Sequence, residues 1–528
     1  MTGEAAQPRY LNRIERRGLA ALLVLIVLFG AITVARSAFM ASRLTDADVY
    51  FRAAWAVRSG ANLYKIADTN DWHYHYPPLL AILLVPFADP PDDAPPGTEA
   101  RWVPYPVSVA LWYVINVIIL WWAVHILASA IEDTSPCRVG SASNRVGAAS
   151  DPVGAASDPV GAASSRDAAH AALRPPVRFE LRWWDLRVLP VLICMPMIGY
   201  TLGRGQVNFL LLLALCGMSA SMLRGRSFRA GVWLALGACI KAYIIALVVY
   251  PLLRRNWRFA VGVAAGLFIG LALVPVVALG PARTAEVYKD LYEFRLKGMV
   301  TGDLHPDIAG ELDVLRGQWP TYGAALFKAF HSDPGKWPAR IPQAYTLFQL
   351  AVGGALFALT LFVIFRTGPG PDTAGSRRTR QPWTWGRLSS LPLSRPPAKD
   401  SGTATDAGPE IGSPQGPSLM EVLAPGALVL VLLPAISTCK PHYYALALLP
   451  VMGLIASIWE RRGEPVIGKG WWTLFAAYFV ANFLSEIVQV VFLHGGGVTP
   501  IATIMLWLAC IAQIPRLPRS GGQTEGIS

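Results

Sequence analysis

Long apolar runs separated by short polar turns fill most of this chain. A helix needs about 20 apolar residues to cross a bilayer core. Runs approaching or exceeding that length are read at 18–39, 103–131, 186–202, 207–223, 259–279, 342–365, 419–437, 443–459, 471–493 and 500–514. Strands are discounted, because in lipid only helices and closed barrels satisfy their own backbone. These runs are also too long and too evenly apolar for barrel strands. The pattern predicts an all-α polytopic membrane protein with about 11–13 transmembrane or re-entrant helices.

Two apolar segments break the rhythm. Residues 79–88 are too few to cross, and an acidic, proline-rich loop (89–101) follows them, so 77–88 reads as a juxtamembrane or re-entrant helix. Residues 230–253 are basic at both ends, with Arg224, Arg226 and Arg229 before and Arg254, Arg255 and Arg258 after. Either two half-length helices dip in and return, or a single span violates the charge rule at one end. Lys241 sits at the middle. An intramembrane lysine either faces a cavity and functions there or snorkels to an interface.

The organisation follows. Residues 1–131 form a first membrane segment carrying an outer loop over about 41–102. Residues 132–185 form a low-complexity linker in which a seven-residue unit repeats from Val139, Val146, Val153 and Val160. This composition cannot bury a core and is expected to be disordered. Residues 186–366 supply central helices and a second outer loop over about 280–341, with a short amphipathic piece at 322–330. A basic linker (367–418), C-terminal helices (419–515) and a tail (516–528) complete the chain.

Composition agrees: 53% of residues are hydrophobic and 15% charged. The net charge of +12 lies mainly in tails and short loops beside apolar ends. That is the positive-inside signature of topology rather than a nucleic-acid surface. Arg9, Arg13, Arg16 and Arg17 put the N-terminus in the cytoplasm and residues 45–78 outside, behind an uncleaved first helix. The six cysteines show neither metal spacing nor a disulfide framework.

This topology brings four polar stretches to one face: 45–78, 203–208, 280–341 and 438–442, with Lys241 approaching from within the bilayer. Asp46 and Asp48 open the first. Asp46 sits where it can cap a helix or act as a general base. Partial desolvation is expected to raise its basicity. His73, His75 and His442 either join the acids around a metal or hydrogen-bond a ligand or the backbone. Arg204, Lys241 and Lys440 suit a phosphate, one as a planar fork and two as point charges. Tyr50, Trp55, Tyr64, Trp72, Tyr74 and Tyr76 read as an interfacial belt from which some rings stack on a sugar. No P-loop or dinucleotide fingerprint occurs, and the one Asp-x-Asp, at Asp46, lies outside, where a sugar donor must be lipid-linked.

DADVYFRAAWAVRSGANLY (46–64) followed by HYHYPPLLAILLVPFA (73–88) resembles the polyprenol-phosphate-mannose-dependent mannosyltransferases of glycosyltransferase family 87, which have the GT-C membrane fold. The matching marks are Asp46/Val49/Tyr50, Gly60/Leu63/Tyr64, Tyr76-Pro77-Pro78-Leu79, Gly205-Gln206-x-Asn208, the lysine at 241 with its trailing arginines, and His442-Tyr443. The resemblance implies an inverting transferase of a bacterial plasma membrane, working on the outer face without metal or cofactor. Asp46 would be the base and His442 its catalytic partner. The family motifs at Lys241, Gln206 and Asn208, with the cations Arg204 and Lys440 read from their own chemistry, would bind the polyprenyl-phosphate sugar donor. Asp48, Tyr50, Tyr64, Tyr76 and Tyr443 would meet the sugar and a glycolipid or glycan acceptor. The family's Ser-Pro-x-Ser-Trp is replaced by Leu-Pro-Ala-Ile-Ser-Thr-Cys-Lys-Pro at 433–441, without tryptophan and with Lys440 added. A transporter or flippase is the rival reading. It predicts repeat-related broken helices, and no second copy of the 230–253 pattern stands out.

Overall fold

The computed structural model describes residues 13–39, 46–134, 183–297, 321–331, 343–367, 418–436, 439–462, 468–492 and 498–517. The seven-residue repeats, most of both linkers, Thr438 and much of the second outer loop lie outside these ranges. The described chain is helical, and its one β-bridge joins Ala67 to His73. Among the described residues, five helices are long and apolar enough to cross a membrane: Arg16–Phe39, Tyr105–Thr134, Trp257–Leu279, Gln343–Arg366 and Pro441–Trp459. Four shorter apolar helices accompany them. The fold class is the one the hydropathy pattern predicts: an all-α polytopic membrane protein.

Helix α1 (Arg13–Phe39) exposes Leu23, Leu25, Val27 and Ile32 along its length. That is the surface of a lipid-facing span, apolar on nearly every side. It leans on α4 (Tyr105–Thr134), where the Tyr113 hydroxyl donates to the Ile26 carbonyl at 2.7 Å. Between them α2 (Ala47–Ser59) packs most of its length into the interior and stops at Gly60, whose φ of 88° is the left-handed C-cap that glycine accepts without strain. The short α3 (Pro78–Leu83) and a 3₁₀ turn (Val85–Phe87) form the expected juxtamembrane element.

Prolines divide the predicted span at 186–202 into three short helices, α5 (Trp183–Arg187), α6 (Leu189–Ile193) and α7 (Met195–Arg204). Pro190 and Pro196 stand at their starts, where a missing N–H costs nothing. Helix α8 (Asn208–Leu223) follows. The region around Lys241 settles into the two-helix alternative. Helix α9 (Ser227–Ala238) ends, Lys241 is extended (φ −133°, ψ 107°), and a 3₁₀ segment (Ala242–Val248) leads into α10 (Val249–Leu253). The two ends meet: Asn256 Nδ2 donates to Ser227 Oγ at 2.9 Å. The chain therefore enters and leaves on one side, with Lys241 at the apex. Helix α11 (Trp257–Leu267) packs so closely on α9 that a Cβ at Gly231 or Gly262 would collide with a facing backbone carbonyl.

A second hairpin has the same construction. Helix α16 (Met420–Ala435) rises, Lys440 is extended (φ −106°, ψ 160°), a 3₁₀ segment (Pro441–Ala447) follows, and α17 (Leu448–Arg462) returns beside α16, with Pro450 against Gly426. Counted from each lysine, alanine stands at the fifth position (Ala246, Ala445), leucine at the sixth (Leu247, Leu446) and proline at the tenth (Pro251, Pro450). The sequence reading missed this copy because those few identities are scattered through otherwise interchangeable apolar residues. It also began the second element at Tyr443, outside the register. The remaining described helices are α12 (Val274–Leu279), α13 (Pro281–Leu291), α14 (Tyr322–Phe330), α15 (Gln343–Thr367), α18 (Lys469–Phe492) and α19 (Val498–Gln513).

Candidate active site

The site forms where the start of α2 meets the α7–α8 turn and the two lysine apices. Gly205, with φ 66°, closes α7, and the backbone N–H of Gln206 donates to the Thr201 carbonyl at 3.1 Å. A Cβ on Gly205 would press on the Ala47 methyl at 3.0 Å, so a residue without one lets the turn lie against α2. Trp112 Nε1 donates to the Gly205 carbonyl at 2.7 Å and fixes the turn from α4. The Asp46 amide donates to the Arg204 carbonyl at 2.6 Å.

This placement resolves the two readings of Asp46. It stands immediately before α2, yet its side chain makes no capping hydrogen bond. The carboxylate turns to the α7–α8 turn instead. Arg204 donates Nη2 to Oδ1 at 2.9 Å and Nε to Oδ2 at 3.3 Å. Gln206 Nε2 donates to Oδ2, and Tyr50 donates to Gln206 Oε1 at 2.9 Å. Burial pushes the Asp46 carboxyl up, but the charges of Arg204, Lys440 and Lys241 together outweigh it and hold it below the usual carboxylate range. The expectation of raised basicity is reversed: desolvation acts as foreseen, and the cations win.

The lysine apices complete the site. Lys241 Nζ donates to Asn208 Oδ1 at 2.7 Å and stands 3.8 Å from the centre of the Tyr443 ring and 5.4 Å from that of Tyr76. Lys440 Nζ lies 4.0 Å over the Trp72 ring. Asn208 Nδ2 and Thr201 Oγ1 both donate to the His442 carbonyl, at 2.9 and 3.1 Å, tying α7 and α8 to the second hairpin. The His442 ring stacks on Tyr200 at 6.0 Å and meets Tyr443 edge-on at 4.8 Å. Tyr50, Tyr74 and Tyr76 continue the aromatic wall. Tyr64 lies behind it and donates to the Tyr76 carbonyl at 3.1 Å.

Of the twelve residues assigned to catalysis, donor or sugar by the resemblance and the residue chemistry, eleven lie in or directly behind one constellation. Asp48 does not join it. Asp48 is fully buried, accepts from Thr69 Oγ1 at 3.2 Å and pairs with Arg52 at 3.6 Å. Arg204 and Gln206, expected at a phosphate, hold Asp46. Among the described residues, no three His, Cys, Asp or Glu side chains gather as a metal set would require. Sequence reasoning overlooked Tyr200, Thr201 and Trp112. The first two lie within four residues of Arg204 and were within reach of the motif, whereas nothing local marks Trp112.

Arg204 also lines a cavity of about 800 Å³. Its walls include Phe29, Tyr200, Phe479 and Phe483 from α1, α7 and α18, and Arg36 contributes a second guanidinium. Arg204 thus borders both the Asp46 carboxylate and a mostly apolar cavity. A family profile described as glycosyltransferase family 87 matches residues 74–375, more than half of the chain. No curated protein matches the sequence. The match spans α3, the Gly205 turn, Asn208 and the first lysine hairpin, and on it the chain belongs to glycosyltransferase family 87.

Proposed function

We propose that this glycosyltransferase is of the GT-C type and transfers a sugar, mannose by the family resemblance, from a polyprenyl phosphate to a hydroxyl of a lipid or glycan on the outer membrane face. The observation that carries the reading is one carboxylate, Asp46, acted on by three cations, Arg204, Lys440 and Lys241, the first of which also lines an apolar cavity. The cavity suits a lipid chain. The cations suit a phosphate whose negative charge grows as it leaves. Asp46 accepts the acceptor's proton while the hydroxyl oxygen attacks the anomeric carbon from the face opposite the phosphate. The bond from the anomeric carbon to the phosphate oxygen breaks, and the polyprenyl phosphate departs with that electron pair. The stacking of His442 on Tyr200 and its edge-on contact with Tyr443 support a role for it beside the phosphate.

A depressed carboxyl is a weaker base but is ionised throughout the working pH range. It takes up its proton late, when the attacking hydroxyl has become acidic by bonding to an electron-poor carbon. The rival transporter reading predicts paired broken helices, and the structure does contain a pair. The family match, not the topology, makes the chain an enzyme. The test supplies membranes with a labelled polyprenyl-phosphate sugar. Asp46→Asn is expected to lose transfer, and transfer retained by Asp46→Asn but lost by Asp48→Asn would overturn the assignment.

A further inference from the structure

The two lysine hairpins place different residues at the same register position. Two residues after Lys241 stands Tyr243; two residues after Lys440 stands His442. Both occupy the second position of a seven-residue 3₁₀ segment headed by an extended lysine. Both carry a buried polar atom for which no described residue is a hydrogen-bond partner: the Tyr243 hydroxyl and His442 Nδ1. Buried polar atoms are nearly always paired, so an orphan marks a missing partner. Here two orphans fall at equivalent places in two copies of one element.

They also face a common neighbour. The Tyr243 ring meets Tyr443 at 5.8 Å and 79°, and His442 meets the same ring at 4.8 Å and 62°. Lys241 Nζ lies 3.8 Å over that ring. An ammonium has three donors, and Asn208 takes one of them. Lys241, His442 and Tyr243 therefore surround Tyr443 with unspent hydrogen-bonding capacity.

We infer that Tyr243 is a donor-binding residue, its hydroxyl donating to an anionic phosphate oxygen of the polyprenyl-phosphate sugar as the counterpart of His442. The inference rests on the proposed phosphate-linked lipid donor. The fold builds the binding element twice and closes the two copies on one ligand. The first copy supplies a neutral hydroxyl and the second an imidazole, each beside its own lysine. Tyr250 lies on the same hairpin and is already engaged, donating to Glu421 at 3.2 Å and accepting from Arg254 at 2.8 Å. It serves as the control.

The full chain in lipid nanodiscs is titrated with sugar-free polyprenyl phosphate. Tyr243→Phe is expected to weaken binding about tenfold or more, the range of a hydrogen bond to a charged group. The donor KM should rise in step, with kcat changed much less. The ligand-free variant should melt no lower than wild type, because it loses a buried hydroxyl that has no partner. Tyr250→Phe should bind as wild type and melt lower. If Lys241→Met weakens binding but Tyr243→Phe does not, the inference about Tyr243 falls and the proposed donor stands. If wild type fails to bind polyprenyl phosphate, both fall. If Tyr243→Phe melts lower than wild type, its hydroxyl serves the fold and the inference is overturned.

Discussion

Asp46 and Asp48 are separated by one alanine and have opposite surroundings. Asp48 looks inward to its own neighbourhood, to Arg52 one turn along α2 and to Thr69 in the loop that follows. Asp46 looks outward to residues more than 150 positions away, Arg204 and Gln206. A helix turns roughly 100° per residue, so side chains two apart point about 200° from each other. Asp-x-Asp at a helix start therefore cannot close both carboxylates on one ion. One acid is spent on holding the segment that follows α2, and the other is turned to residues that distant parts of the chain supply. The same two letters carry different chemistry because partners, not spacing, decide what a carboxylate does.

The strongest way to break this contrast is to neutralise each acid in turn. Asp46→Asn should lower transfer about 10²–10⁴-fold, the usual worth of a positioned acid–base group, far beyond what the stability lost with its Arg204 pair would explain. Asp48→Asn should do the reverse. It leaves Arg52 buried beside a neutral partner and should lower stability by about 1–3 kcal/mol, with the folded fraction transferring at nearly the normal rate. Equal losses of transfer in the folded fractions of the two variants would erase the distinction.

Arg204 sharpens the comparison next, because it keeps Asp46 ionised. The Asp46 carboxyl is depressed in the folded protein, so the charged form persists above that lowered value and disappears as pH falls through it. In wild type the acid limb of kcat/KM should therefore lie below the ordinary carboxylate range of about 3.9–4.3. Arg204→Ala removes the largest charge acting against burial, and the limb should move upward while the plateau rate drops about tenfold or more. An acid limb that stays where it was would mean that another group sets it.

Much of this was legible beforehand. The long spans were readable because period and length are local properties. The apex at Lys241 was readable because a cation inside an apolar run has few places to go. The direction of Asp46's perturbation was not, since three competing cations arrive from three separate segments and their distances are tertiary. The contacts of Arg204 and Gln206 with Asp46 were not legible for the same reason: a cationic or amide side chain expected near a phosphate gives no sign in the sequence that it also grips a carboxylate 158 or 160 positions away. The duplicate hairpin escaped because its hallmark, an extended lysine before a 3₁₀ turn, is a backbone conformation, and matching lysine, alanine, leucine and proline leave only a faint trace in a chain made mostly of apolar residues.

Tyr50 offers the finest probe of what holds Asp46. Its hydroxyl donates to Gln206 Oε1 at 2.9 Å, which commits the other end of that amide, Nε2, to the Asp46 carboxylate. Without the hydroxyl, the amide is free to turn over and present its carbonyl oxygen to a negative charge. Tyr50→Phe keeps the ring that packs 5.8 Å from Tyr76, so the aromatic wall and the melting profile should survive. Losing the hydrogen bond to Gln206 should cost about 0.5–1.5 kcal/mol, read as a roughly 2–10-fold fall in kcat with the donor KM little changed. Pre-steady-state transfer measurements separate that step from binding. A variant as fast as wild type would show that Arg204 alone positions Asp46. One that is fast but unstable would place Tyr50 with Asp48, among the residues that build the loop rather than the site.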